Sequence, residues 1–322
     1  MKSVFVKILF TFCLFLSSYL LKAQEISAPD TVKIGTYVIS LHDINFRDKE
    51  YTIRFWMWML YKNAEFDFAN KVEVPNAKAL EKPDVMIDSS DGRNWVLMKM
   101  KCIMKQSWSV QDFPFDRQKL VVHVENSEFD RRSLVFQADT LGKHYDPELT
   151  IDGWDIENIE IRTGTNGYET AFGDSSLEKP YSEYSTFDII IDLDRDATGL
   201  FLKLFIGMYV SFFIGCLSFL IHPNHVDPRF GLPVGALFAI VGNKYIIDSL
   251  LPETSTFTLV DTLHAITIIF TFFIIALSSF ALILNGKGKT GTARKLDKWG
   301  AIGITGVYFL FNIIMIVVAI LH

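Results

Sequence analysis

Residues 200–221 read LFLKLFIGMYVSFFIGCLSFLI. At about 1.5 Å per residue, a helix of that length covers the roughly 30 Å hydrocarbon core of a bilayer. Three further stretches of the same kind follow, Phe230–Leu251, Leu259–Leu284 and Trp299–Leu321. The chain from residue 199 to 322 therefore reads as four membrane helices with short links. About 175 residues of different character precede them, from Gln24 to Thr198.

That leading part is strand-patterned. Val32–Leu41, Tyr51–Tyr61, Trp95–Met104, Leu120–Val124, Ile156–Ile161 and Thr186–Leu193 are rich in β-branched and aromatic residues. Turn signals separate them at Asp91-Gly92, Asp152-Gly153 and the cluster Gly164–Gly167. No long helical period occurs before Leu200. The expected fold is an antiparallel, immunoglobulin-like β-sandwich over residues 24–198, followed by a four-helix transmembrane domain. Trp56 and Trp58 share one side of a strand, which predicts that at least one packs in the core.

Residues 1–23 read as a secretory signal peptide. Lys2 and Lys7 precede an apolar run from Ile8 to Leu21, and Ala23 offers a small residue for cleavage. The competing reading is an uncleaved anchor, for which the apolar core is short. The sandwich is then outside the cytoplasm. The link from Asn285 to Lys298 is cytoplasmic, and its Lys287, Lys289, Arg294, Lys295 and Lys298 agree with that orientation.

Charge divides the chain. Gln24–Thr198 carries 32 acidic and 20 basic residues, formally −12, whereas the chain from Gly199 on carries 5 and 8, formally +3. The acidic outer part attracts cations and disfavours nucleic acid. Cys13, Cys102 and Cys216 give the outer part a single cysteine and no disulfide. No nucleophile–base pair, metal-ligand spacing or phosphate loop is visible. The expectation is no enzyme, no catalytic residue, no metal and no cofactor.

Two local features go further. Phe113-Pro114-Phe115-Asp116-Arg117-Gln118 is an aromatic–proline loop followed by a carboxylate. Asp194-Arg195-Asp196 ends the last strand just before the first span, where a guanidinium can pair with a carboxylate of a neighbouring loop.

Together with Leu251-Pro252-Glu253-Thr254-Ser255 and Asp261 after the second span, these features resemble the pentameric ligand-gated ion channels. That family comprises the Cys-loop receptors and their bacterial relatives. Val32–Tyr37 and Gly153-Trp154 are weaker echoes. Gln106 and Leu120 stand where animal receptors carry the loop cysteines, as bacterial relatives also lack that disulfide. The resemblance implies a homopentamer in a bacterial inner membrane, with its outer domain in the periplasm. A small-molecule agonist would bind between outer domains, and inorganic ions would pass along the second span. Asp116, Arg195, Pro114 and Pro252 would couple the two, the Phe113–Gln118 loop touching the Pro252–Phe257 link.

Anchored on Pro252, the implied pore face is Gly231, Gly235, Phe238, Gly242, Tyr245 or Ile246, and Ser249, a single helical stripe. Five Phe238 rings would form a hydrophobic constriction. The spacing Gly231-x-x-x-Gly235 equally suits close helix packing. Pro233, and Lys244 with Asp248 four residues on, lie in the same span. Asp227, Asp248 and Glu253 would form acidic rings favouring cations, although Arg229 lies next to the inner mouth. Implied ligand contacts are Phe129, Phe172, Tyr181, Tyr184, Trp56 or Trp58, and Glu125, an aromatic set suited to an amine. Protons sensed at His264 are the alternative agonist. A poorly conducting or non-conducting receptor of the same build is the alternative function.

Overall fold

The computed structural model describes residues 28–173 and 179–322. The expected signal peptide lies outside the described residues. Side-chain alternation builds the outer part. In β2 (Glu50–Tyr61), Phe55, Met57 and Met59 are fully buried, while Trp56 and Trp58 lie half-buried on the other side. The other strands are β1 (Asp30–Asn45), β3 (Val72–Glu73), β4 (Ala77–Ser90), β5 (Arg93–Lys105), β6 (Arg117–Asn126), β7 (Leu134–Ala138), β8 (Trp154–Tyr168) and β9 (Ser182–Arg195). One short helix, α1 (Phe68–Lys71), precedes β3.

Two sheets face each other. The five-stranded sheet runs β4-β5-β2-β1-β7 and the four-stranded sheet β3-β6-β9-β8. Pairing is antiparallel except between β1 and β7. The core between them takes Val32, Ile34, Phe55 and Met57 from one sheet and Leu120, Val122, Phe187 and Ile189 from the other. Asp91 and Gly92 both adopt positive φ, the conformation of a tight two-residue hairpin turn, between β4 and β5.

Three expectations change. Neither Trp56 nor Trp58 is a core residue, because the core register of β2 falls on the odd positions. Trp58 instead lies against β1, where Gly35 is its cross-strand partner; a Cβ there would sit 2.4 Å from the indole. Gly164–Gly167 is not a turn but the interior of β8, paired continuously with β9. The sequence reading also misses β4, a mostly exposed edge strand that reaches the core only at Ala77 and Leu80, with Pro83 accommodated at a register shift between Glu81 and Asp84.

Among the described residues, four helices are long and apolar enough to cross a membrane, as expected of a multi-pass membrane protein: α2 (Ala197–Cys216, extended by a 3₁₀ turn to Leu220), α3 (Val226–Asp248), α4 (Leu259–Gly286) and α5 (Thr290–Leu321). Helix α5 begins nine residues before the apolar run does, so Arg294–Lys298 is helical. A reciprocal cap starts α4: Thr258 Oγ1 accepts from the Asp261 amide, and the Asp261 carboxylate accepts from the Thr258 amide at 2.8 Å. Polar contacts tie the bundle inside, with the Tyr209 hydroxyl bonded to Asn312 and Thr267 to Tyr308. Phe212 stacks on Tyr308 with ring centroids 3.8 Å apart.

Candidate functional site

Where the sandwich meets the helices, Arg195 is enclosed. Its Nε and Nη2 donate to the two oxygens of Asp116 at 2.7 and 3.1 Å, a bidentate pair with side chains only 10% and 2% exposed. Gln118 donates to the same carboxylate at 2.6 Å and holds both the amide and the carbonyl of Ser109. The guanidinium lies 3.9 Å from the Trp154 ring centre, 4.7 Å from Phe46 and 5.1 Å from Phe113. Phe46 in turn stacks on Trp108, whose indole donates to the Asn45 carbonyl. The Asp116–Arg195 pairing read from sequence is therefore present. The rings of Phe46 and Trp108 were not foreseen.

The loop around this pair reaches three of the four helices. The Leu259 amide at the start of α4 donates to the Gln111 carbonyl at 2.8 Å. Phe115 lies 5.4 Å from Phe201 of α2. His322, after α5, bonds Asp112 at 2.9 Å. The expected partner was the Pro252–Phe257 link, but the loop's hydrogen bond to this region falls two residues later, at Leu259. Pro252 is buried, and the Phe113–Pro114 peptide is cis.

A second constellation lies on the outer face of the four-stranded sheet. Val124 and Phe187 point to the core, so Glu125, Tyr184 and Asn166 point away from it. Glu125 accepts from Asn166 at 2.8 Å and from the Tyr168 hydroxyl at 2.9 Å. Tyr168, Phe172 and Tyr184 meet edge to face, with centroids 5.5 to 6.2 Å apart. Burial, then the Glu125 carboxylate, pushes the Tyr168 phenol up to about 12. Glu73 is the cross-strand partner of Glu125, and burial and that neighbour raise its carboxyl. The site thus offers three rings and two facing carboxylates, a chemistry for a small cation.

Of the expected ligand residues, Glu125, Phe172 and Tyr184 come together; Tyr168 and Glu73 join them unforeseen. Phe129 packs instead against Phe66, 4.8 Å away, at the edge of the core. Tyr181 lines an adjoining cavity of about 400 Å³ with Asp130, Glu183, Arg131 and Arg132, so that cavity carries both signs of charge. Trp56, with Lys99 over its ring at 5.3 Å, is on the outer face of the opposite sheet. Within one chain the two aromatic patches are separated by the sandwich core.

Helix α3 has one packed and one open face. Pro233, Ala236, Ile240 and Ile247 are buried, while Gly231, Gly235, Phe238, Gly242, Tyr245, Ile246 and Ser249 are exposed. At about 100° per residue the two sets lie on opposite sides of the helix. Phe238 is 74% exposed, and other rings on these helices are exposed too, such as Tyr245 on the same stripe and Phe272 and Phe280 of α4. Lys244 turns from this stripe to bond Asp248 at 2.7 Å and Asp261 of α4 at 2.8 Å. Asp248 and Asp261 thus share the single charge of Lys244, and Asp248, Asp227 and Glu253 are all exposed. Arg229, expected beside the inner mouth, is fully buried against Asp297. His264 is buried between the Val260 carbonyl and Asn243, closed to solvent.

A scan of the chain against protein-family models finds no match, and a search of curated proteins finds no similar sequence, so the geometry of these sites carries the functional argument.

Proposed function

We propose that this chain is one subunit of a homopentameric ligand-gated ion channel of the Cys-loop receptor type, with an immunoglobulin-like outer domain in the periplasm of a bacterial cell. The open face of α3 carries the proposal. In lipid, three glycines and a serine on one uncovered stripe of the least apolar helix offer almost no side-chain surface to the acyl chains. Five copies turned to a common axis would use that stripe as a pore, with Phe238 as a hydrophobic constriction. Lys244, which would obstruct such a pore, is held against α4.

Two features support an agonist bound between subunits. The Glu125–Tyr168–Phe172–Tyr184 patch and the Trp56 patch occupy opposite outer faces of one sandwich, so they can share a ligand only across two chains. Facing carboxylates at Glu73 and Glu125 favour an ammonium ligand. Exposed Asp227 and Glu253, with the acidic outer domain, favour permeant cations. The burial of His264 speaks against direct proton sensing there.

Ion flux into liposomes carrying purified pentamers tests the reading. Phe238→Ala is expected to raise basal flux above wild type. Fivefold assembly with no flux from either protein would leave a non-conducting receptor and reject the channel.

A further inference from the structure

The far end of the helix bundle, away from the sandwich, holds a cavity of about 590 Å³. Its walls are the end of the first span, Phe219–Pro223, and the opening turns of α5, from Arg294 to Ile302. Arg294 and Lys298 stand one helical turn apart on its wall. Both are exposed, and among the described residues neither forms a salt bridge. His222 adds a third nitrogen donor. Its Nδ1 accepts from the Asn224 amide at 3.2 Å, which leaves Nε2 to carry the ring proton.

The one acid lining the cavity is already used. Asp297 takes two hydrogen bonds from Arg229, at 3.2 and 2.5 Å, and the same guanidinium donates to the Ile221 carbonyl at 2.6 Å. The cavity wall therefore presents uncompensated positive charge. Beside it, Leu220 and Ile302 are 81% and 55% exposed, and Trp299 stands next to Lys298 as an interfacial ring. Cationic and apolar surfaces meet where membrane-length helices end.

We propose that this cavity binds the headgroup of an anionic phospholipid. Arg294 and Lys298 hold the phosphodiester, His222 Nε2 donates to it, and the acyl chains lie along Leu220 and Ile302. A free phosphate would use the same cations but not the apolar wall. Because Asp297 lies between the two cations in sequence and clamps Arg229 at the base of α3, the bound lipid would brace the inner end of that helix. The proposal needs the helices to span a membrane and does not need the pore to conduct.

Native mass spectrometry of the detergent-purified full chain provides the test, with phosphatidylglycerol, phosphatidylcholine or inorganic phosphate added. Phosphatidylglycerol is expected to be retained preferentially by wild type. R294Q and K298Q should each lower that preference about five-fold, the worth of one surface cation. Lys287→Gln with Lys289→Gln, basic positions outside the cavity wall, should leave it unchanged. An equal loss from the Lys287/Lys289 pair would reduce the effect to diffuse charge and overturn the site. Equal retention of the two lipids by wild type, or inorganic phosphate that displaces the lipid at matched concentration, would overturn it as well. The single substitutions alter exposed side chains, and an unchanged melting temperature in lipid-free detergent separates lost binding from lost folding.

Discussion

Arg195 shows how much one side chain can be asked to do. Buried ion pairs carry a desolvation penalty that is offset only when geometry and extra hydrogen bonds are good. Here the pair is bidentate, Gln118 bonds the carboxylate, and three rings face the guanidinium. Arg195→Ala is expected to cost about 3–5 kcal/mol by stranding Asp116. The double variant with Asp116→Ala should recover a large part of that loss in urea unfolding; purely additive losses would reject the coupling. A second residue-scale expectation concerns His123, whose imidazole is bonded to Asp188; that bond raises its pKa above the ordinary 6.5. A raised folded value means stability fully present below pH 6.5 and lost as pH rises through the folded value. The wild-type melting temperature should therefore fall over that range relative to His123→Gln, and parallel pH profiles would remove the pair from the account. The Asp116–Arg195 pair was legible only because a loop motif and a strand-end arginine could be read together. Phe46 and Trp108 carried no such signal: nothing local to either residue says that it will end up beside a guanidinium.

At the scale of elements, run length made the four membrane helices readable, since nothing else in water or lipid uses such long apolar runs. The start of α5 was not readable, because Arg294–Lys298 is polar and its helicity comes from continuing the helix beyond the apolar stretch. Strand β4 was lost for a related reason: most of it is exposed, and register shifts beside Ala77 and Pro83 break the little alternation it has. For β2 the period was plain, but which side faces the core depends on the partner sheet. The period of α3 yields a sharper expectation. In a Cys216→Ser background, cysteines at Gly235 and Gly242 should react with a water-soluble methanethiosulfonate roughly tenfold faster than cysteines at Ala236 and Ile240, a ratio worth about 1.4 kcal/mol. Equal rates on both faces, in assembled protein, would show that the stripe is lined by lipid or by protein.

For the whole molecule the question is how sandwich and bundle act on each other. Leu259 is the first residue of α4, and its amide is held by the Gln111 carbonyl of the loop below Arg195. That position tolerates proline within a helix. Thr258 before it is already extended, at φ −92 and ψ 169, as a residue preceding proline must be. Leu259→Pro should therefore delete this one hydrogen bond and spare the helix. Hydrogen exchange is expected to rise several-fold over residues 108–116, more than in Leu259→Ala, and to stay unchanged over residues 263–280. Matching exchange in the two variants would show that the bond bears no strain between the halves. The contact is peptide to peptide, so any amino acid at position 111, and any but proline at 259, can make it. An alanine scan would pass over it in silence, and a lineage could rewrite both residues without loosening the joint.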